Sequence, residues 1–311
     1  LAFIGVSSCN QNSELEKEIN SLNFNVNVER FDKLFMESNE VEFYSYKDDF
    51  PFLFPNNIPD SILLQRKDDS IQKLIKSSVD SVFFDFSSIE NDLSSLYKHI
   101  KYYNPSLKKP RLITVFSDVD YTNKVIVTDT IVLIGIDNYL GSKHVFYRSF
   151  YQYIRKNLNK NQIVVDLADK YASKMINQPV REIFLDELIY QGKKMYLKDL
   201  WLPKSEEHSK IGYTADELNW AEDNEFYIWQ YFVENEILYD NNSKLYDRFI
   251  ARGPFSRFNL ELDSESPSSL GIYIGWKIVK SFMKNNDIKL VNMLQSDSQY
   301  IFKNAKFKPK K

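Results

Sequence analysis

Glycine is scarce in this chain, with 8 residues among 311. Folds built on many tight turns, such as β-propellers, and nucleotide-binding folds with glycine-rich loops need more of it. A hydrophobic fraction of 43%, with 15% aromatic residues, is enough for a packed core and argues against a disordered chain. The net charge of −3 gives no indication of nucleic-acid binding.

Two kinds of hydrophobic pattern predict the fold class. Short β-branched runs at 111–116, 125–127 and 130–136 predict a small early sheet. Residues 24–28 alternate like a short strand, helical spacing prevails after residue 145, and Thr214 with Glu217 matches a capping box. The predicted helices after the sheet cover 146–158, 162–176, 180–200, 214–239, 270–284 and 289–302. We therefore predict an α+β fold, mainly α, in which a small early β-sheet is followed by a helical bundle, forming a single globular domain over residues 21–311.

The start of the chain resembles the end of a signal peptide. Residues 1–8 are apolar and then small, and they precede Cys9, which is the only cysteine. Val6-Ser7-Ser8-Cys9 resembles a bacterial lipobox, in which cleavage leaves an acylated cysteine as the new N-terminus. We expect residues 9–20 to form the lipidated cysteine and a tether, with acyl chains on Cys9 holding the body to a membrane. The alternative is a buried strand in which Cys9 is a core thiol.

The residues of common catalytic sites are missing or scattered. The three histidines, His99, His144 and His208, lie far apart, and none belongs to a His-Glu-x-x-His zinc motif. Neither a Gly-x-Ser-x-Gly elbow nor a phosphate-binding Gly-x-x-x-x-Gly-Lys loop occurs. The oxygen-rich stretch 118–123 lacks the central glycine and closing glutamate of a calcium loop, so it predicts a turn. The sequence therefore predicts no metal site, no cofactor and no catalytic residue.

Three other features predict packing or binding. Residues 50–55 form a proline-fixed aromatic loop that either packs on the body or binds a partner. Gly192 lies within a predicted helix, and Gly271 and Gly275 are four positions apart, so all three predict close helix packing. Residues 306–311 form a basic tail, which is either a solvated end or a segment attracted to anionic lipid or wall polymer.

Four strings of residues resemble a known family. They occupy 133–141, 188–196, 212–214 with Trp220 and 228–234, and 270–279, in this order behind the lipobox. Together they resemble the gliding-motility lipoprotein GldB family of Bacteroidetes over nearly the whole chain. The resemblance implies a lipid-anchored, periplasm-facing lipoprotein of the cell envelope. It also implies partners among envelope proteins of the gliding machinery, which is associated with type IX secretion.

The family resemblance also implies a distant relation to zinc peptidases of the zincin kind. On that alignment Asp166 and Lys170 stand at the two histidine positions of the zinc motif, Leu167 at the general base and Gln191 at the third ligand. A lysine repels a metal ion and a leucine cannot accept a proton, so this site would have lost its zinc. Asp166, Lys170, Gln191 and Tyr190 are then expected to line a remnant cleft.

The leading functional hypothesis is a non-catalytic structural or interaction component of the gliding machinery. One alternative is a zincin-like metal-dependent peptidase or hydrolase that uses other ligands, such as His144 with nearby acids. A second alternative is a solute- or glycan-binding lipoprotein. Bound metal in the purified protein distinguishes the first alternative, and recovery of a sugar or peptide without envelope partners distinguishes the second.

Overall fold

The computed structural model describes residues 6–261 and 263–311, with side chains from residue 14 onward. It is mainly helical with a small early sheet, as the sequence predicts. The earlier helices are α1 (Val6–Ser21), α2 (Phe31–Glu37), α3 (Glu40–Asp49), α4 (Asp60–Asp68), α5 (Ser70–Val82) and α6 (Ser87–Tyr103). The later helices are α7 (Gln152–Arg155), α8 (Gln162–Met175), α9 (Phe184–Trp201), α10 (Glu207–Ile211), α11 (Ala215–Asp223), α12 (Glu225–Glu234), α13 (Lys244–Phe249), α14 (Leu270–Asn285), α15 (Leu290–Gln295) and α16 (Ser298–Ala305).

The sheet has four strands in the spatial order β1-β2-β4-β3. These are β1 (Val28–Glu29), β2 (Arg111–Val115), β3 (Val125–Val127) and β4 (Ile131–Gly135). β1 and β4 run parallel to β2, and β3 pairs antiparallel with β4. The central strands are rich in β-branched residues, and Ile113, Val132 and Ile134 are fully buried, as expected where a parallel sheet is covered.

The chain forms two compact units. The first contains the residues up to 146 together with 158–163, and the second contains 147–157 and 164–311. The prediction of a single domain concerns cooperative folding of both units and stays a prediction. Within the described residues, none of the helices has the length and apolar content needed to cross a bilayer.

Aromatic rings fill part of the core of the first unit. Phe31, Phe43, Phe50 and Phe54 form a buried cluster with Ile113 of β2. The rings of Phe31 and Phe50 are 4.8 Å apart, and those of Phe43 and Phe54 are 5.5 Å apart. The 50–55 loop is therefore packed on the body through two of its three phenylalanines, because burial of large rings stabilises the fold strongly.

The predicted helix over 146–158 is wrong. The structure has a single 3-10 turn at 145–147 and the short helix α7. The chain then pairs with an earlier segment: Leu140 and Asn159 form a β-bridge, and the Gly141 N–H donates to the Leu158 carbonyl at 2.9 Å. That pairing requires extended backbone, and the aromatic residues before it have only modest helix propensity.

Two predicted long helices are each broken by a polar side chain. The segment 214–239 forms α11 and α12, interrupted at Asn224, whose side-chain amide donates to the Trp220 carbonyl at 2.9 Å. The segment 289–302 forms α15 and α16, and Asp297 between them accepts the Tyr300 N–H at 2.7 Å. Such side chains compete for backbone hydrogen bonds and favour helix ends. The capping box at Thr214 is confirmed.

Candidate functional site

Close packing of α9 against α14 positions the candidate site. A Cβ on Gly192 would lie 2.2 Å from the Gly275 carbonyl oxygen, and one on Gly275 would lie 2.0 Å from the Leu188 oxygen. Ordinary van der Waals contact begins at 3.4 Å, so glycine is needed at both positions. A Cβ on Gly271 would also meet the Phe249 oxygen, at 2.8 Å. The close packing predicted for these glycines is confirmed.

A pocket of about 510 Å³ lies beside the first half of α9. Its walls come from the loop that follows α8, from one face of α9, and from the turn between α15 and α16. Most of the lining is polar and carries amide, hydroxyl or carboxylate groups. The lining residues are Ile176, Asn177, Gln178, Pro179, Val180, Glu182, Asp186, Ile189, Tyr190, Lys193, Leu294, Gln295, Ser296, Asp297, Ser298 and Gln299.

Asp186 holds one wall of the pocket in place. One carboxylate oxygen accepts the N–H groups of Glu182 and Ile183, each at 3.1 Å. These bonds cap the start of α9, which begins at Phe184 rather than at the predicted residue 180. The other oxygen accepts the Ser298 hydroxyl at the start of α16. Asp186 therefore joins the loop before α9 to α16, and its carboxylate is already well supplied with donors.

Lys193 lies at the opposite wall and is buried. Its ammonium donates to the carbonyls of Leu294 and Ser296, at 3.0 and 2.7 Å, where α15 ends. A cation at this end of a helix satisfies unpaired carbonyls and complements the helix dipole. Burial lowers the pKa of Lys193 to about 8, against the opposing charge of Asp297. The position and the bonds indicate a capping role.

Tyr190 is the one member of the predicted remnant cleft that lines this pocket. It lies in the middle of α9 and is buried, and its hydroxyl accepts the side-chain amide of Gln178 at 2.9 Å. The ammonium of Lys194 lies 5.9 Å from the Tyr190 ring centroid. The phenol and the Gln178 amide can both donate and accept hydrogen bonds within the pocket.

Asp166, Lys170 and Gln191 are not among the residues that line the pocket. Asp166 is half-buried on α8 and Lys170 is exposed. Gln191 donates to Glu187 on its own helix at 2.8 Å. Glu187 lines a second hollow of about 350 Å³, where it also accepts the Arg181 guanidinium at 2.6 Å. A shared cleft formed by all four predicted residues stays a prediction.

An ion cluster that is partly exposed at Asp169 joins α8 to α9. Asp169 accepts the ammonium groups of Lys194 and Lys198, each at 2.8 Å. Burial raises the pKa of Asp169, but the two nearby positive charges outweigh it and hold the pKa well below its ordinary value. Lys198 also donates to the Lys210 carbonyl at 3.0 Å. These contacts compensate the charge of Asp169 and hold α8 against α9.

A second polar network continues along α9. Asp199 accepts the Trp276 indole N–H at 2.6 Å and the Lys210 ammonium at 3.1 Å. Lys280 lies 3.5 Å from Asp199 and 2.8 Å from Glu207. The charges on this part of α9 are therefore compensated by neighbouring groups. Hydrogen-bonded networks of this kind fix the packing of helices.

The donor sets needed for a zinc centre are not assembled in the described residues. There, the structure brings together no group of three or more His, Cys, Asp or Glu side chains that could hold a metal. His99 is buried, with its ring nitrogens bonded to the Ser95 carbonyl at 2.8 Å and to Glu16 at 3.1 Å. The ring of His144 packs against Phe146 at 4.7 Å. These side chains do not fit a zincin-type zinc site.

Long-range contacts explain which pocket residues were missed. Asp186 has one signal in the sequence, because it is an acid in the first turn of a helix. Ser298 bonds to Asp186 from 112 positions away, and no sequence pattern indicates that contact. The i, i+4 spacing of Lys194 and Lys198 places both on one face of α9, but their partner on α8 is not visible from sequence.

Cys9 lies in α1, outside the described side chains, so its acylation stays a prediction.

Comparison with known proteins adds family information to this geometry. The family model described as gliding motility protein GldB matches residues 12–309. The match extends from within α1 to the basic tail, and so includes the pocket and both networks on α9. No curated protein and no solved structure matches the chain.

Proposed function

The chain belongs to the family of the gliding motility protein GldB, and on that premise we propose that it acts by binding, as a non-catalytic component of the gliding machinery. In this proposal acyl chains on Cys9 tether it to an envelope membrane, and the folded body faces the periplasm. Its partner is another envelope protein of the gliding or type IX secretion machinery. The pocket beside α9 receives a segment of that partner.

The state of the pocket's polar groups is the observation that supports binding over catalysis. Asp186 accepts three donors, Lys193 donates to two carbonyls, and Tyr190 accepts the Gln178 amide. A general base or nucleophile needs an available lone pair and a pKa suited to proton transfer. Groups that are already committed to helix caps instead form a rigid lining, which lowers the entropic cost of binding a partner.

The lining favours a peptide segment with positive charge. The side-chain amides of Asn177, Gln178, Gln295 and Gln299 can each donate and accept, which matches the alternating N–H and C=O groups of an extended peptide. Carboxylates at Glu182, Asp186 and Asp297 outnumber the one ammonium. The ammonium of Lys193 points at the carbonyls that end α15 and away from the open space. The side chains around the open space therefore carry a net negative charge, which favours a positively charged partner.

Site-specific photocrosslinking in cells tests this proposal. Val180 lines the pocket and is 77% exposed, so a photoreactive residue there is expected to capture one defined envelope protein. Val291 on α15 is 55% exposed but does not line the pocket, and it serves as the matched control. Equal capture from both positions, or capture from neither, would contradict binding at the pocket.

A charge reversal at the rim adds a functional readout. Glu182 is exposed and lines the pocket, so Glu182→Lys is expected to abolish the crosslink from residue 180 and to impair gliding at normal protein levels. Glu261→Lys makes the same charge change at an exposed position outside the pocket lining and should leave both unchanged. Stoichiometric zinc in the purified protein, by elemental analysis, would instead favour a metal-dependent hydrolase.

A glycan is the second candidate ligand for the same pocket. Amides, carboxylates and the Tyr190 ring are groups that bind sugar hydroxyls and ring faces. Titration of the purified protein with peptidoglycan fragments tests it. Binding that Glu182→Lys leaves intact, with no protein captured from residue 180, would favour a glycan-binding role over a protein partner.

A further inference from the structure

The basic tail is packed against α12. Lys310 donates its backbone N–H to Glu225 at 2.9 Å, and the Phe307 ring packs edge-to-face on Trp229 at 5.2 Å. The ammonium of Lys311 lies 5.6 Å from the Phe226 ring centroid. Residues 306–311 therefore lie along α12, antiparallel to it, with defined contacts. A merely solvated end would not make them.

The apolar residues of the tail face the body, and its charged residues face solvent. Phe307 and Pro309 are half-buried, whereas the lysines of the tail are exposed. One more exposed lysine, Lys303, stands on the adjoining helix α16. We call this set of cations the lysine strip; its members are Lys303, Lys306, Lys308, Lys310 and Lys311.

The positive charge of the lysine strip is largely uncompensated. In the described part of the chain, Lys303, Lys306, Lys308 and Lys310 take part in no ion pair. The carboxylate that the tail does contact, Glu225, is buried and also accepts the Tyr273 hydroxyl at 2.7 Å. Elsewhere in the same unit two lysines of α9 and two of α14 are paired with carboxylates; these are Lys194, Lys198, Lys277 and Lys280. A strip of unpaired lysines therefore has the charge that an anionic partner requires.

The helix beneath the tail adds an amphipathic group to the same region. Tyr227 of α12 is 67% exposed and follows Phe226, the ring beneath the Lys311 ammonium. Tyrosine is enriched where a protein meets the boundary between lipid and water, because its ring is apolar and its hydroxyl is polar. Lysines beside an exposed tyrosine are the groups that a peripheral protein uses on an anionic bilayer.

We propose that the lysine strip docks on the anionic headgroups of a lipid bilayer. The tether of the proposed function would keep this surface within reach of a membrane, but the electrostatic contact itself needs neither acylation nor the α9 pocket. Each lysine near an anionic surface strengthens binding by roughly fivefold, so four of them are expected to contribute roughly 600-fold. The attraction must weaken as salt screens it.

Vesicle co-sedimentation of the full chain carrying Cys9→Ser tests the proposal without the acyl anchor. We expect binding to vesicles of 70% phosphatidylcholine and 30% phosphatidylglycerol at low salt, and little binding to phosphatidylcholine alone. Replacing Lys306, Lys308, Lys310 and Lys311 by glutamine should weaken binding roughly 600-fold. The matched control replaces four exposed lysines outside the strip: Lys108, Lys109, Lys143 and Lys204.

Comparison of the strip variant with the control variant distinguishes the possible outcomes. Loss of binding in the strip variant but not in the control supports docking through the strip. Equal loss in both variants, or no binding to anionic vesicles, overturns it. Dextran sulfate that displaces the chain at an equal concentration of charge would overturn the choice of a bilayer in favour of a soluble polyanion. Because the chain is unacylated and no gliding is measured, failure here leaves the proposed function standing.

Discussion

Alanine at Gly192 or Gly275 tests whether the approach of α9 to α14 governs the stability of the second unit. The new methyl group would meet a backbone carbonyl oxygen at 2.2 Å in Gly192→Ala and at 2.0 Å in Gly275→Ala. A flexible side chain could move aside, but a helix backbone cannot, so the two helices must separate. Both methyl groups act at the same interface.

The expected magnitude follows from two opposing effects. Overpacking of a well-packed core costs about 1–3 kcal/mol, and contact with rigid backbone places these variants at or above the upper end. Alanine recovers ~1 kcal/mol of helix propensity relative to glycine. We expect a net loss of about 2–3 kcal/mol in the free energy of unfolding. For a unit of this size that corresponds to a fall of roughly 5–10 °C in Tm.

Thermal unfolding followed by circular dichroism measures the effect. Gly253→Ala is the matched control, since its Cβ would meet only the Phe255 oxygen at an ordinary 3.8 Å. The double variant should lose less than the sum of the single losses, because one separation of the helices relieves both contacts. A Gly192→Ala protein that melts within 1 °C or so of Gly253→Ala would refute the reasoning.

Three further predictions follow from the structure. Asp169→Asn should lower stability at pH 7 by about 1–2 kcal/mol, a value discounted because the carboxylate is 36% exposed. The pKa of Asp169 in the folded state lies below its ordinary value. The extra stability of the wild type over the variant is therefore fully present above about pH 4 and shrinks as the pH falls further. Urea unfolding of both proteins at pH 3 and pH 7 measures this difference. Lys193→Met should cost roughly 2 kcal/mol in the same assay by leaving the Leu294 and Ser296 carbonyls without their donor, whereas an unchanged midpoint would argue against the cap. If one cooperative domain spans both units, calorimetry should show a single transition that Phe43→Ala and Gly192→Ala both lower; two transitions, each moved by one variant, would contradict it.

The elements that the sequence predicts well are those with strong local signals. Strands β2, β3 and β4 lie within one residue of their predicted bounds, because β-branched runs between polar turns have few alternatives. The capping box at Thr214 is local and is also confirmed. The breaks at Asn224 and Asp297 were missed, since hydrophobic periodicity continues across each while one side-chain hydrogen bond interrupts the helix.

The candidate site was only partly predictable for a related reason. Tyr190 is a predicted cleft residue that lines the pocket, but part of the opposite wall comes from the turn between α15 and α16, about a hundred positions away. Asp186 and Lys193 act on backbone groups of distant segments, and such pairings leave no pattern in a single sequence. Gly192 was predicted to permit close packing, but its partner on α14 could be identified only in three dimensions.

Acylation of Cys9 is the claim on which the envelope role depends, and the mass of the mature N-terminus tests it most directly. The protein would be purified from the membrane fraction of cells that produce it, and its N-terminal peptide would be analysed by mass spectrometry. We predict that the peptide begins at Cys9 and carries the added mass of acyl chains. A peptide that runs from Ser8 through Asn10 with a free thiol on Cys9 would contradict the account.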